Sequence, residues 1–227
     1  MAISVLTNVT SMLAQTNLGK ASGQMADSMA RLSSGLRVRS AADDAAGLAI
    51  SEDFKAKIRG LNQAKRNAND GVSLAQTADG ALKEIGGMLN RMRELAVQSS
   101  TGTVNTTQRG YIQDEFVQLR SEIDRLATTT EYNGISLING DSAGGITFQV
   151  GSGNSTNDQL TLSLLSSSST ALSISGDSVS TSAAALSAIS ALDAAIGSIS
   201  SRRGTIGAMQ NRLSVTMSHL DTYSTHL

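Results

Sequence analysis

The chain has no proline, no cysteine and no tryptophan among its 227 residues, and only three phenylalanines and three tyrosines. Without cysteine there is neither a disulfide nor a thiolate metal site. With so little aromatic mass, the apolar residues are Ala, Leu, Ile, Val and Met. Those suit close helix–helix seams better than a thick round core. An excess of either charge is also lacking: 18 Lys+Arg stand against 19 Asp+Glu. That balance gives no long-range pull towards nucleic acid or an anionic membrane. The N-terminus lacks an early positive charge and an unbroken apolar run, so no cleaved secretory signal is read there. No window reads as a membrane span of roughly 20 apolar residues. The only histidines are His219 and His226, and no nucleophile–base pair, metal-ligand cluster or cofactor loop is visible. The reading is a protein without enzymatic activity and without cofactors.

What is present is helical periodicity. Residues 3–35 carry a weak stripe through Ile3, Leu6, Leu13, Met25, Met29 and Leu32, interrupted by Thr10, Asn17 and Gly23. Such a helix is marginal alone and needs a partner. Residues 44–99 carry a far stronger one: Ile50, Phe54, Ile58, Leu61, Ala64, Ala68, Val72, Ala75, Ala78, Leu82, Ile85, Leu89, Met92 and Ala96 step by three or four throughout. That is a sustained seam, and 55 or so helical residues span ~80 Å. Gly71 and Gly86–Gly87 are expected to bend or soften it. After a turn at 100–107, Ile112, Phe116, Leu119, Ile123 and Leu126 mark a shorter helix over about 108–128, the antiparallel neighbour of the long one.

At 131–165 the period changes to two. Asn133–Gly134 and Asn139–Gly140 bracket Ile135 and Leu137, while Ile146, Phe148, Val150 and Leu160, Leu162, Leu164 alternate. A small antiparallel β region follows. The Ser- and Thr-rich stretch 166–182 reads as a solvated loop. A last helix over about 183–220 places Leu186, Ile189, Leu192, Ile196, Ile199, Ile206, Met209, Leu213, Met217 and Leu220 on one face. The fold class expected is mainly α: an elongated antiparallel, coiled-coil-like helical rod with a small antiparallel β region. Residues 1–43 form an N-terminal helix and joint, and 44–227 the rod.

The stretch RLSSGLRVRSAADDAAGLAIS (31–51) breaks the helical pattern. A metal or acid–base role for Asp43 and Asp44 is disfavoured because adjacent residues point apart. A phosphate cradle needs glycine and lysine spacing that is absent. The structural reading is a joint. Ser33, Ser34 and Gly35 end one helix. Ser40 then caps the next, with Asp43 as the reciprocal partner of a capping box and both acids in the first turn. Arg37 and Arg39 are left exposed on the joint.

That stretch resembles the signature of bacterial flagellin. So do NQAKRNANDGVSLAQTADGAL, MLNRMRELAVQSS, IQDEF, EIDRLATTTEYNGISLING and IGAMQNRLSVTMSHL, six segments in the family's order over 3–140 and about 186–220. The resemblance implies a structural, self-assembling subunit of the flagellar filament, exported to the extracellular flagellum. It also implies partners: other flagellin subunits, an export chaperone and the filament cap. It implies that Arg37, Arg39, Asp43 and Asp44 lie at an inter-subunit joint, with Arg39 standing where the family often has Asn. It further implies that Arg91, Leu95 and Glu115 fall on the surface bound by the vertebrate Toll-like flagellin receptor of innate immunity, with Leu95 as an apolar anchor. Flagellins carry a further C-terminal helix beyond the position of Leu220 that pairs with the N-terminal one. Here residues 3–35 are therefore expected to lack an intramolecular mate. The alternative reading is a truncated or accessory flagellin-like protein, or the hook–filament junction protein, that does not polymerise by itself.

Overall fold

The computed structural model describes residues 8–227; the expected stripe positions Ile3 and Leu6 lie outside them. The chain forms two compact units, Met1–Lys57 and Ile58–Leu227. The division falls inside a helix, past the joint at 35–44. The elements are four helices, α1 (Val9–Ser34), α2 (Ala45–Ser100), α3 (Thr106–Thr129) and α4 (Ser182–His226), and four short strands, β1 (Glu131–Tyr132), β2 (Ile135–Ser136), β3 (Ile146–Gln149) and β4 (Gln159–Leu162). The chain is mainly α with two small antiparallel β pairs, as its periodicities require.

In the first unit, Asn8 caps α1 by accepting the Ser11 N–H, and Gly35 closes it in the left-handed conformation (φ 67°) that a side chain disfavours. No described residue of this unit is buried. Ile50 (55% exposed) and Phe54 (37%) therefore do not belong to the seam, contrary to their spacing. Periodicity registers a face but not whether a neighbour covers it.

The second unit holds the core. Its seam begins at Leu61 and continues through Ala64, Ala68, Ala75, Ala78, Leu82, Ile85, Leu89, Met92 and Ala96, all buried. α4 lies antiparallel on α2, with Lys65 beside Asp221 and Arg93 beside Asp193. α3 also runs antiparallel to α2, through Arg91–Glu115 and the Arg109 guanidinium on the Ser99 carbonyl. Helices of this length run roughly 65 Å side by side, so this unit is a rod. Asn105 starts α3 with a capping box completed by Gln108. The α4 stripe differs from the expected one at its start. Ala185, Ala188, Leu192 and Ala195 are buried while Leu186 is 59% exposed. The seam there takes alanine, which lets the helix axes approach, and turns the larger residue out. α4 is also long and apolar enough, by length and composition, to cross a membrane, contrary to the reading that no window is; its buried stripe packs into this core.

Gly71 is buried against its neighbours. A Cβ there would lie 3.2 Å from Leu213 Cδ1 and 3.2 Å from Phe148 Cδ1. Its glycine serves close approach of α2 to α4 and β3 rather than a bend. The β1–β2 hairpin turns on Asn133 (φ 51°) and Gly134 (φ 76°), a primed turn that matches strand twist. β3 and β4 pair Ile146 with Leu162 and Phe148 with Leu160.

The segment 166–181 is irregular but not a solvated loop. Leu172, Ile174 and Val179 are buried, as are Ser167 and Ser169. Three polar residues of α3 grip it. Asp124 accepts from the Ser169 N–H and hydroxyl, Arg120 donates to the Ser175 and Asp177 carbonyls, and Gln113 accepts from the Val179 N–H and the Ser178 hydroxyl. From α4, Arg202 donates to the Leu165 and Ser166 carbonyls and to the Ser167 hydroxyl. The segment is a strap that completes the core.

Candidate assembly and recognition surfaces

α1 presents an apolar face to solvent. Met12, Leu13, Met25 and Met29 are 61–66% exposed and Leu32 is 83% exposed. Met25, Met29 and Leu32 recur at helical spacing and form one stripe, while Met12 and Leu13 project from other sides of the helix; nothing described covers either set.

The joint is built on Asp43. One carboxylate oxygen accepts the backbone N–H groups of Arg39 and Ser40, each at 3.1 Å, and the Ser40 hydroxyl at 3.3 Å. The other oxygen meets the Arg31 guanidinium at 2.9 Å. The two backbone N–H groups, and then Arg31, hold the Asp43 carboxyl below its ordinary pKa. Only half of the expected capping box forms, because Ser40 donates its hydroxyl to Asp43 instead of accepting. The N-terminal cap of α2 is Asp44, whose side chain accepts the Gly47 N–H at 2.9 Å. The cap thus lies four residues beyond Ser40, while the helix starts within one residue of the expected 44. Arg37 and Arg39 are exposed, and Arg39 serves Asp43 through its backbone rather than its guanidinium. Arg31, Arg37, Val38, Asp43 and Asp44 line one shallow concavity. Arg31 escaped the sequence reading because its partner lies 12 residues on, beyond any helical spacing.

On the second unit, Leu89, Met92, Leu95 and Ala96 turn into the core and leave Arg91 outside. The Arg91 guanidinium bridges α2 and α3, to Glu115 at 2.9 Å, and also contacts Glu94 at 3.0 Å. Those two carboxylates, Glu94 first, raise its pKa above the usual arginine value. Leu95 does not accompany Arg91 to the surface. It is 1% exposed, so its expected role as an accessible apolar anchor is corrected: it supports Arg91 from behind. The exposed apolar residue of this face is Tyr111 (70%), one helical turn from Glu115 on α3. Among the described residues, no three His, Cys, Asp or Glu side chains group where a metal would be held.

The fold and these surfaces define a class: a long-helix protein with one self-contained core and one helix that exposes large apolar residues to solvent. The bacterial flagellin N-terminal helical region matches residues 5–143, and the chain belongs to the bacterial flagellin family. It is 52% identical to flagellin A of Vibrio cholerae over 152 residues, which cover 67% of this chain and 40% of that protein. It is likewise 52% identical to a flagellin of Xenorhabdus nematophila over 141 residues, covering 62% and 45%. The chain thus spans less than half the length of these curated relatives. The crystal structure of Bacillus cereus flagellin superposes with a TM-score of 0.62 at 33% identity, covering 68% of this chain and 88% of that one. A putative flagellar hook-associated protein of Vibrio parahaemolyticus shares the fold, with a TM-score of 0.59 at 14% identity, covering 83% and 100%.

Proposed function

We propose that this chain is a structural subunit of the extracellular bacterial flagellar filament, acting by self-association and without enzymatic activity. The observation that carries this is the run of exposed large apolar residues along α1, in a chain whose second unit already buries its own core. An isolated apolar helix gains stability only by burial against something. In this reading Arg37, Arg39, Asp43 and Asp44 sit at the contact between neighbouring subunits, and export proceeds through a chaperone and beneath a filament cap. Identity near 50% to flagellins, against 14% to the hook-associated protein, favours the filament subunit over the junction reading. The test is assembly of the full chain, followed by pelleting and electron microscopy. Wild type is expected to form filaments on seeds. A Leu13→Asp, Met25→Asp variant is expected to stay in the supernatant with unchanged melting of the rod. Filaments from that variant, or none from wild type under any seeding, would overturn the proposal.

A second reading concerns the Arg91–Glu115 face. Its cross-helix ion pair, with Tyr111 beside Glu115, offers charged hydrogen-bonding groups and an aromatic anchor together, the composition of a protein-binding hot spot. We propose it as the surface for the vertebrate innate immune flagellin receptor. Arg91→Ala is expected to lower receptor signalling in reporter cells without changing the melting temperature; equal signalling would assign the face to packing alone.

A further inference from the structure

Three ion pairs cross the α2–α4 seam, and their polarity alternates. Lys65 of α2 meets Asp221 of α4 at 2.7 Å, Asp79 meets Arg203 at 2.7 Å, and Arg93 meets Asp193 at 2.6 Å. On α2 these residues stand fourteen apart, at 65, 79 and 93, which is two heptads each time. The partners are separated by 156, 124 and 100 residues of chain. We propose that this alternating ladder is a register code: it selects one alignment of α2 on α4 while the seam closes.

The apolar pattern alone does not select that alignment. Buried positions of α2 repeat at fourteen residues as Leu61 and Ala75, Ala64 and Ala78, Ala75 and Leu89. Those of α4 repeat as Ile199 and Leu213, Leu192 and Ile206. After a slip of two heptads, apolar residues still face apolar residues. The charges respond differently. On α4 the partners stand 18 and 10 residues apart, so a slip of two heptads one way brings Lys65 and Asp79 to within about one turn of Arg203 and Asp193. A slip the other way brings Asp79 and Arg93 equally near Asp221 and Arg203. Either slip loses all three attractive pairs and creates two repulsive ones. A ladder of uniform polarity would tolerate both slips. Each of these side chains is 34–57% exposed, so the pairs add little to the stability of the native rod. Their discriminating power lies in the like-charge contacts of the alternatives, the device that sets partner and alignment in coiled coils.

The decisive variant exchanges the middle pair, Asp79→Arg with Arg203→Asp. Every native pair is retained, but both slipped alignments now match. The chain has no cysteine, so Gln76→Cys and Ala208→Cys, both at exposed positions and level with each other in the native alignment, carry unique spin labels. Samples are diluted from urea and frozen during refolding, and inter-label distances are read by pulsed electron resonance. The wild-type sequence is expected to show one distance throughout. The exchanged variant is expected to show a second population, displaced axially by roughly 21 Å for fourteen helical residues, that drains slowly to the native distance. A neutral variant, Asp79→Asn with Arg203→Gln, is expected to fall between the two and decides the matter if the exchanged protein does not refold. A single distance in all three, reached at equal rates, would overturn the proposal.

Discussion

The Asp124 carboxylate holds Ser169 by two hydrogen bonds of 2.7 Å, one from its backbone N–H and one from its hydroxyl. One acidic side chain on α3 thereby fixes the start of the strap that closes the core over Leu172, Ile174 and Val179. Asp124→Ala leaves a half-buried N–H unmet and frees the strap end. The expected loss is about 2–3 kcal/mol in urea unfolding, with amide exchange rising first at 166–181. Uniform exchange along the chain, or no loss, would show that the buried apolar residues hold the strap unaided.

Two glycines of α2 should respond to substitution with opposite signs. Gly80 faces open space, so Gly80→Ala removes backbone freedom from the unfolded chain and is expected to stabilise by about 0.5–1 kcal/mol. Gly71→Val places atoms into a site already 3.2 Å from Leu213 and Phe148 and is expected to cost about 1–3 kcal/mol. Thermal melting by circular dichroism measures both, and a common sign would refute the close-approach account of Gly71.

The joint should respond to acid. The Asp43 carboxyl lies below its ordinary 3.8 in the folded chain. Its contribution is therefore fully present above that value and is lost as the pH falls through the lowered folded value. Amide exchange at Arg39 and Ser40, corrected for intrinsic pH dependence, is expected to accelerate across that interval and nowhere above pH 5 or so. Asp43→Asn should show faster exchange already at neutral pH.

Asp177 gives the reverse sign. Burial pushes its carboxyl pKa up despite Arg120 nearby, and Oδ2 has no hydrogen-bond partner. The charged form is the disfavoured one, so Asp177→Asn is expected to hold or raise the melting midpoint at pH 7, by no more than about 1 kcal/mol. A clear loss would mean that the Asp177 charge does useful work against Arg120.

Much of this architecture was legible because α2, α3 and α4 each carry a period that one covered face imposes. Leu82, Leu89, Phe116, Ile123 and Leu213 lie where their spacing places them, all buried. Ile50 and Leu186 mark where legibility ended: spacing reports a face, and only tertiary contact decides whether it is covered or whether alanine at 185 replaces leucine at 186. The strap was invisible for a related reason. Leu172, Ile174 and Val179 follow no regular period because an irregular backbone aims each of them separately, and the groups gripping it lie tens of residues away on α3. At the candidate sites, Arg91 and Glu115 were legible only through the family resemblance, not through spacing. The sequence did not show that Leu95 turns inward or that Arg31 meets Asp43.

The strap also determines where this chain can accept added sequence. Residues 169–179 are committed to α3 by backbone as well as side-chain bonds, so foreign residues inserted there would unseat the interior. The tip between β3 and β4 is different: 152–157 are exposed and contribute nothing to the core. A peptide epitope spliced into that tip would be displayed outward by an undisturbed scaffold, which makes the β3–β4 turn the natural graft point for turning this subunit into a carrier.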